Sequence, residues 1–160
     1  MKNIETMPDA SKVWVYQSKR ILSDNEVNMI AEAGAKFVEN WTAHGAKLDA
    51  CIDVVHHRFI VCCVNEGQAT ASGCSIDSSI RFMKEVDTAL KLDLFDRMQV
   101  AYRNGNTIES CSMSELKNLA SAGKVNSETI VFNNMVTTKA ELEKAWELPL
   151  KESWQKRVLA

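Results

Sequence analysis

The order of strand-like and helix-like segments constrains the fold of this chain more than any other feature of its sequence. Residues 13–16 form a short β-rich run, and a capped helical pattern follows at residues 23–41. Two runs rich in Val, Ile, Phe and Cys come next, at residues 48–55 and 58–64. With a second helical pattern and a further strand-like run, the order is β-α-β-β-α-β over residues 13–103.

This order predicts an α+β fold with a mostly antiparallel sheet. Residues 13–103 are expected to form a ferredoxin-like βαββαβ core, and residues 104–160 a C-terminal β-α-β-α extension. The extension begins at Asn104-Gly105-Asn106, which is typical of a hairpin turn. Residues 13–160 should make one domain. Residues 1–12 have charge but no apolar stretch, so we expect a flexible lead-in rather than a signal peptide.

The charge balance and the hydropathy pattern exclude several classes of partner. Nineteen basic and 21 acidic residues give a net charge of -2 without any basic run, so DNA binding is not expected. RNA binding on the sheet is disfavoured, because only Phe59 and Tyr102 offer an aromatic platform. No apolar run approaches the ~20 residues of a membrane-spanning helix.

The cysteines indicate reduced thiols. Five cysteines are present, an odd number without Cys-x-x-Cys spacing, which disfavours a disulfide framework and favours a cytoplasmic location. Neither a His-x-x-x-His nor a Cys-x-x-Cys pattern occurs, so we predict no metal site. No nucleotide-binding or dinucleotide-binding glycine pattern occurs either, and we predict no cofactor.

One segment offers a candidate catalytic site. Cys74 follows a glycine at the start of a helical pattern, where backbone N–H groups lower a thiol's pKa and attract anions. Asp77 and Arg81 share its helix face. Cys74 would be the nucleophile, Arg81 would hold an anionic substrate oriented by Asp77, and His44, in a glycine-containing turn, would be the base. The same spacing is also typical of a solvated helix face with an Asp–Arg pair.

A second group of residues suits binding rather than catalysis. Asn133, Asn134 and Thr138 place amide and hydroxyl groups between a strand and a helix start, where they could recognise an anion or a peptide backbone. Plain turn and cap chemistry explains the same residues equally. Trp146 and Trp154 would mark a partner surface if both were exposed, because aromatic residues are enriched at interface hot spots.

Five blocks distributed along the chain point to a known group of sequences; they are residues 41–45, 73–77, 95–97, 131–134 and 153–157. Through these blocks the chain resembles, over nearly its whole length, a family of small uncharacterised bacterial proteins found chiefly in the Bacteroidetes. Some members carry the label "ABC transporter ATPase". The resemblance implies a cytoplasmic bacterial protein and supplies no activity.

The ATPase label does not suit this sequence. A phosphate-binding loop needs Gly-x-x-x-x-Gly-Lys-Ser/Thr, and the Gly123-Lys124 pair has Asn118 in place of the first glycine. Val125 stands where a magnesium-binding hydroxyl belongs, and the pair follows a helical pattern instead of preceding one. We therefore reject ATP hydrolysis by this loop.

A local resemblance covers residues 115–131, which look like the helix-then-strand half of small GYF-like adaptor modules. The Gly-Tyr-Phe triplet that names those modules is absent, so their mode of peptide recognition does not carry over. Two hypotheses stay open at this point. The absence of catalytic motifs favours a non-catalytic binding or adaptor module for an unknown protein or a small anionic ligand. The alternative is a small cysteine-dependent enzyme or thiol sensor built on Cys74.

Overall fold

The structure is a computed structural model that describes residues 2–67 and 69–160. These residues form an α+β protein with antiparallel sheets. In chain order the elements are β1 (Lys12–Gln17), α1 (Asp24–Glu39), β2 (Thr42–Ala43), β3 (Ala46–Lys47), β4 (Asp49–Val55), β5 (Phe59–Asn65), α2 (Gly73–Leu90), β6 (Gln99–Asn104), β7 (Thr107–Ser112), α3 (Met113–Ser121), β8 (Ile130–Phe132), α4 (Lys139–Lys144) and β9 (Glu147–Pro149). Short 3-10 helices lie at Ile4–Thr6, Leu150–Glu152 and Trp154–Leu159.

The first sheet is three-stranded, in the order β1-β5-β4. Both neighbours pair antiparallel with β5, so that Trp14 lies opposite Cys62 on one side and Cys51 lies opposite Cys63 on the other. The sequence of β5 explains its central place: apolar residues occur at successive positions, and both of its faces are buried.

The second sheet has the order β7-β6-β8-β9 and is also antiparallel. The predicted hairpin is present, with Gly105 at a φ of 61° in the turn between β6 and β7. Pro149 ends β9, an edge strand, where a residue without an N–H is tolerated.

The structure corrects the finer part of the fold prediction. The α+β class and the antiparallel pairing are confirmed, and β1-β5-β4 is the arrangement expected for the first three strands of a ferredoxin-like core. The fourth strand, β6, does not join the free edge of β1. It pairs instead with its hairpin partner β7 and, through Tyr102 and Val131, with β8.

Three apolar clusters order the molecule into layers. The first lies between the three-stranded sheet and the helices α1 and α2, which contribute Ile30 and Met83. The second joins the two sheets and includes Phe59 and Phe132. The third lies beyond the second sheet, where α3 contributes Leu116 beside residues of the C-terminal 3-10 helices. The two sheets therefore face each other across a shared core.

The N-terminal segment (residues 2–11), which was expected to belong to a flexible lead-in, packs against the domain. Met7 is buried in the cluster between the two sheets. The amide of Ile4 donates to Asp53 Oδ2 at 2.7 Å, and Lys2 forms an ion pair with Asp49. The segment therefore lies against β4 rather than apart from the domain.

Two further predictions concern the cysteines and membranes. All five cysteines are free, so no disulfide is formed, as the sequence predicted. Within residues 2–67 and 69–160, none of the helices has the length and apolarity to cross a membrane.

Candidate functional site

A groove of about 550 Å³ runs along the free edge of β1 and is the candidate functional site. Its volume falls in the range of ligand pockets, ~300–1,000 Å³. All six β1 residues line it, together with the loop after α2, the loop after β8 and the start of the C-terminal 3-10 helix. The groove occupies the place that a fourth strand would fill in a ferredoxin-like sheet.

The backbone of β1 is open in the middle of this groove. At one end the Val13 amide donates to the Thr137 carbonyl at 3.0 Å, and beyond the strand the Lys19 amide donates to the Leu92 carbonyl at 2.9 Å. Backbone groups of alternate residues point to the same side of a strand, so those of Val15 and Gln17 also face away from β5. Within the part of the chain that the structure describes, these two residues have no backbone partner on that side.

Three large apolar side chains are exposed around the open edge. Met135 is 72% exposed, Trp154 42% and Phe95 37%, and they belong to three separate segments of the chain. Together they are three of the seven exposed large hydrophobic residues among those described, and all three line the groove. Exposed apolar side chains that gather at one groove are typical of a binding surface.

A short network of side-chain amides forms one wall of the groove. Trp146 Nε1 donates to Asn134 Oδ1 at 2.9 Å, and Asn134 Nδ2 donates to Gln17 Oε1 at 2.8 Å. Gln17 Nε2 reaches Ser110 Oγ at 3.5 Å. The network fixes Asn134 between the two sheets, because both ends of its amide are engaged.

Three charged residues line the groove: Lys12, Asp96 and Arg97. Lys12 pairs with Glu66 at 3.3 Å, and the Asp96 carboxylate accepts from the Met98 amide in its own loop. Arg97, which lines the groove, has no carboxylate within ion-pair distance among the described residues. The same holds for Arg157, whose guanidinium carbon lies 5.9 Å from the centre of the Trp154 ring. Arg97 therefore lies in the groove and Arg157 beside Trp154, both without a carboxylate partner among the described residues.

Tyr16 adds a neutral hydroxyl to the groove. Burial raises the pKa of Tyr16 to about 12, the nearby Cys62 adds to the rise, and Arg97 opposes it. The ring contacts Phe95 edge-on, with 5.7 Å between the ring centres. Tyr16 is therefore uncharged at neutral pH, where it can donate a hydrogen bond.

The structure separates the predicted binding residues. Asn134 and Trp154 line the groove, whereas Trp146 is 5% exposed and lies behind Asn134. Asn133 accepts from the amide of Met135 at 3.2 Å and so shapes the loop that holds that methionine. Thr138 is the N-cap of α4, where its hydroxyl accepts from the Glu141 amide. The condition that both tryptophans be exposed is not met.

The predicted catalytic residues are all at the surface. Cys74, Asp77 and Arg81 are exposed on α2, which begins at Gly73 behind the N-cap Ser72. His44 is exposed in the turn between β2 and β3, at a φ of 52°.

No hydrogen bond or ion pair joins any two of these four residues within the described part of the chain. A nucleophile and its base need to lie within hydrogen-bond reach of each other. The catalytic site built on Cys74 therefore stays a prediction.

Residues 2–67 and 69–160 contain no cluster of three or more His, Cys, Asp or Glu side chains arranged to hold a metal ion.

Sequence reasoning missed the open edge itself. A ferredoxin-like sheet would cover β1 with β6, so the prediction concealed the groove. No local pattern marked this edge, because whether a strand edge is covered depends on which distant strand pairs with it. The comparison with family models found no match, and neither did the searches of curated proteins and of solved structures.

Proposed function

We propose that this protein is a non-catalytic binding module that takes an extended segment of a partner protein along the free edge of β1. The observation behind the proposal is the open backbone of Val15 and Gln17 inside the groove. A sheet edge of this kind binds an extended peptide as an added strand, because main-chain hydrogen bonds supply affinity and side-chain pockets supply specificity.

The lining of the groove defines the chemistry of the partner segment. In an added strand, alternate side chains point to opposite faces of the sheet. The side chains on one face of the partner segment would pack on Phe95, Met135 and Trp154, so we expect these side chains to be apolar. Acidic residues would complement Arg97 and Arg157, since charge complementarity favours encounter with the correct partner. We therefore expect a segment in which acidic and apolar residues alternate.

Other sequence features agree with a binding role without testing it. The local similarity of residues 115–131 to adaptor modules is one of them. The family resemblance, which supplies no activity, and the cytoplasmic location stay predictions. The cysteine-dependent enzyme also stays a prediction, and no contact among the described residues favours it over the groove.

The experiment uses three fluorescein-labelled eight-residue peptides as probes. Glutamate and valine alternate in the first, lysine and valine alternate in the second, and the third repeats the first with N-methylated backbone amides. Fluorescence anisotropy should show saturable binding of the first peptide, with at least tenfold weaker binding of the other two. Amide shifts in NMR spectra should concentrate on Val15 and Gln17.

Variants of the protein separate the strand-addition mode from nonspecific contact. Val15→Pro removes an outward-facing N–H and should weaken peptide binding at least tenfold. Val15→Thr keeps this N–H and should leave peptide binding unchanged. Met135→Ser should weaken binding, and Cys74→Ser should leave it unchanged. The proposal fails if none of the peptides binds, or if Val15→Pro and N-methylation have no effect. It also fails if size-exclusion chromatography shows a dimer that Val15→Pro dissociates, because the occupant would then be a second copy.

A further inference from the structure

A pair of buried thiols lies outside the groove, in the core between the two sheets. Cys51 and Cys63 are directly opposite each other on β4 and β5, and both belong to the cluster that joins the sheets. Opposite residues of antiparallel strands have Cα atoms ~4.5–5.5 Å apart. This spacing lies within the ~4.4–6.8 Å that disulfides span, and the two thiols already share a hydrogen bond.

Polar groups surround Cys63 although the core around it is apolar. The Ser11 hydroxyl is buried and has no nitrogen or oxygen partner among the described residues. The Lys139 side chain is 8% exposed, and its ammonium donates to the carbonyls of Glu5 and Met7 at 3.1 and 2.7 Å. The ammonium also pairs with Glu143 at 3.5 Å, so it is satisfied, whereas the Ser11 hydroxyl has the Cys63 sulfur as its hydrogen-bond partner.

These neighbours make the two thiols unequal. The hydrogen bond from Cys51, with help from Ser11 and the charge of Lys139, holds the pKa of Cys63 below its ordinary value against the effect of burial. The hydrogen bond to Cys63, together with burial, raises the pKa of Cys51. Cys63 is therefore the thiol that ionises first, and Cys51 keeps its proton.

The N-terminal segment covers this pair. Asp49, Cys51 and Asp53 occupy alternate positions of β4 and so share one face. Lys2 pairs with Asp49 on one side of Cys51, and the amide of Ile4 binds Asp53 on the other. Lys139 holds the same segment through two backbone carbonyls. The segment therefore lies over the face of β4 that carries Cys51.

We propose that Cys51 and Cys63 form an oxidation site, which a hydroperoxide converts into a reversible cross-strand disulfide. With hydrogen peroxide, the Cys63 thiolate attacks one peroxide oxygen, so that an S–O bond forms and the O–O bond breaks. The departing hydroxide takes up the proton that Cys63 released and leaves as water. Cys51 then attacks the Cys63 sulfur. An S–S bond forms, the S–O bond breaks, and the departing hydroxyl takes the Cys51 proton as a second water. The two thiols are oxidised by two electrons and the peroxide is reduced.

The remaining cysteines provide internal controls. Cys62 is equally buried but points to the opposite face of β5, where its neighbours across the ladders are Trp14 and Ile52. Cys111 lies in the third cluster, and Cys74 is exposed. None of these three has a thiol opposite it, so none should form a disulfide within the folded chain.

Hydrogen peroxide treatment of the folded protein tests the proposal. After free thiols are blocked, peptide mass spectrometry should find a linked peptide pair that contains Cys51 and Cys63, reversible by dithiothreitol. Cys51→Ser should stop the link and let Cys63 proceed to the sulfinic acid, whereas Cys62→Ser should leave the link intact. The proposal is overturned if peroxide oxidises Cys74 while Cys51 and Cys63 stay reduced. It is also overturned if the link appears only after denaturation.

The cover has its own test. Asp53→Ala removes the acceptor of the Ile4 amide and should speed disulfide formation about fivefold, the factor that corresponds to one lost hydrogen bond. Because the charge of Asp53 also raises the pKa of Cys51 and Cys63, the matched control is Asp53→Asn, which removes the same charge but keeps a side-chain oxygen as acceptor for the Ile4 amide. Equal rates for the two variants would exclude the covering role of the segment. Peptide binding in the groove should be unaffected by Cys51→Ser, so this proposal and the proposed function fail separately.

Discussion

The two edges of the three-stranded sheet differ in how they are protected. On the edge strand β4, the carboxylates of Asp49 and Asp53 bind the N-terminal segment on one face, and α1 packs closely through Gly34 against Ile52 on the other face. At the β1 edge, the backbone of Val15 and Gln17 is open and apolar side chains surround it. Natural sheets block exposed edges with charges or covering segments because an open edge pairs with other chains. The difference teaches that the two edge strands have different surroundings: charged side chains and a covering segment lie beside β4, whereas exposed apolar side chains and a groove lie beside β1.

The largest expected effect comes from removing a backbone N–H of β1 that points toward β5 instead of one that points away from it. Trp14 lies opposite Cys62 and faces β5 with its backbone, so Trp14→Pro removes a ladder hydrogen bond and should lower the free energy of unfolding by ~3 kcal/mol or more. Val15→Pro removes only an outward N–H, and we expect a loss of ~1 kcal/mol or less. Urea unfolding of both variants measures the difference. Equal losses would show that the β1 edge is not open at Val15.

A medium effect is expected where α1 packs against the face of β4. A Cβ added at Gly34 would lie 3.0 Å from the Cβ of Ile52, which is tighter than nearly all Cβ contacts in proteins. Gly34→Val should therefore lower the free energy of unfolding by ~1–3 kcal/mol through overpacking. Gly73→Val is the matched control, because a Cβ there meets no atom within 4 Å. Thermal unfolding measures the difference. Equal melting temperatures for the two variants would contradict the close approach of α1 to β4.

The smallest effect concerns the ion pair between Arg20, in the segment after β1, and Glu26 of α1. Arg20 donates to both oxygens of Glu26 at 2.9 and 2.6 Å, and this contact, with the amide of Ser23, lowers the pKa of Glu26 to about 2. An unfolded glutamate titrates near ~4.3, so the contribution is present above that pH and disappears as the pH falls toward 2. Glu26→Gln should flatten the loss of stability in this range, as followed by circular dichroism. Glu32→Gln replaces an exposed glutamate on the same helix and should leave the loss of stability at acid pH unchanged.

Local patterns predicted most of the secondary structure. The capping box of Ser23 and Glu26 begins α1 as expected, because its hydrogen bonds involve residues only three positions apart. The hairpin at Gly105 and the cap at Thr138 follow for the same reason. The 3-10 helix that presents Trp154 and the short β2–β3 hairpin were not predicted as such, because brief elements leave weak periodic patterns.

The candidate site was predicted only in pieces. Asn134 and Trp154 were singled out, yet nothing in the sequence related them to β1, which lies more than a hundred residues away from each. The catalytic hypothesis drew on local spacing around Cys74, and local spacing does not bring His44 or any other base to that helix face. Sites assembled from distant segments depend on pairing that no local pattern encodes.

The sequence by itself determined the element types, their caps, the free thiols and the charge balance, since each of these depends on neighbouring residues or on composition. Only the tertiary structure decided that β6 pairs with β7 and β8 instead of β1, which leaves one sheet edge open. It also decided that Cys51 faces Cys63, because a shift of one residue between β4 and β5 would turn each side chain to the opposite face. Such registers are set by which faces pack together in the core, and a one-dimensional pattern does not specify them.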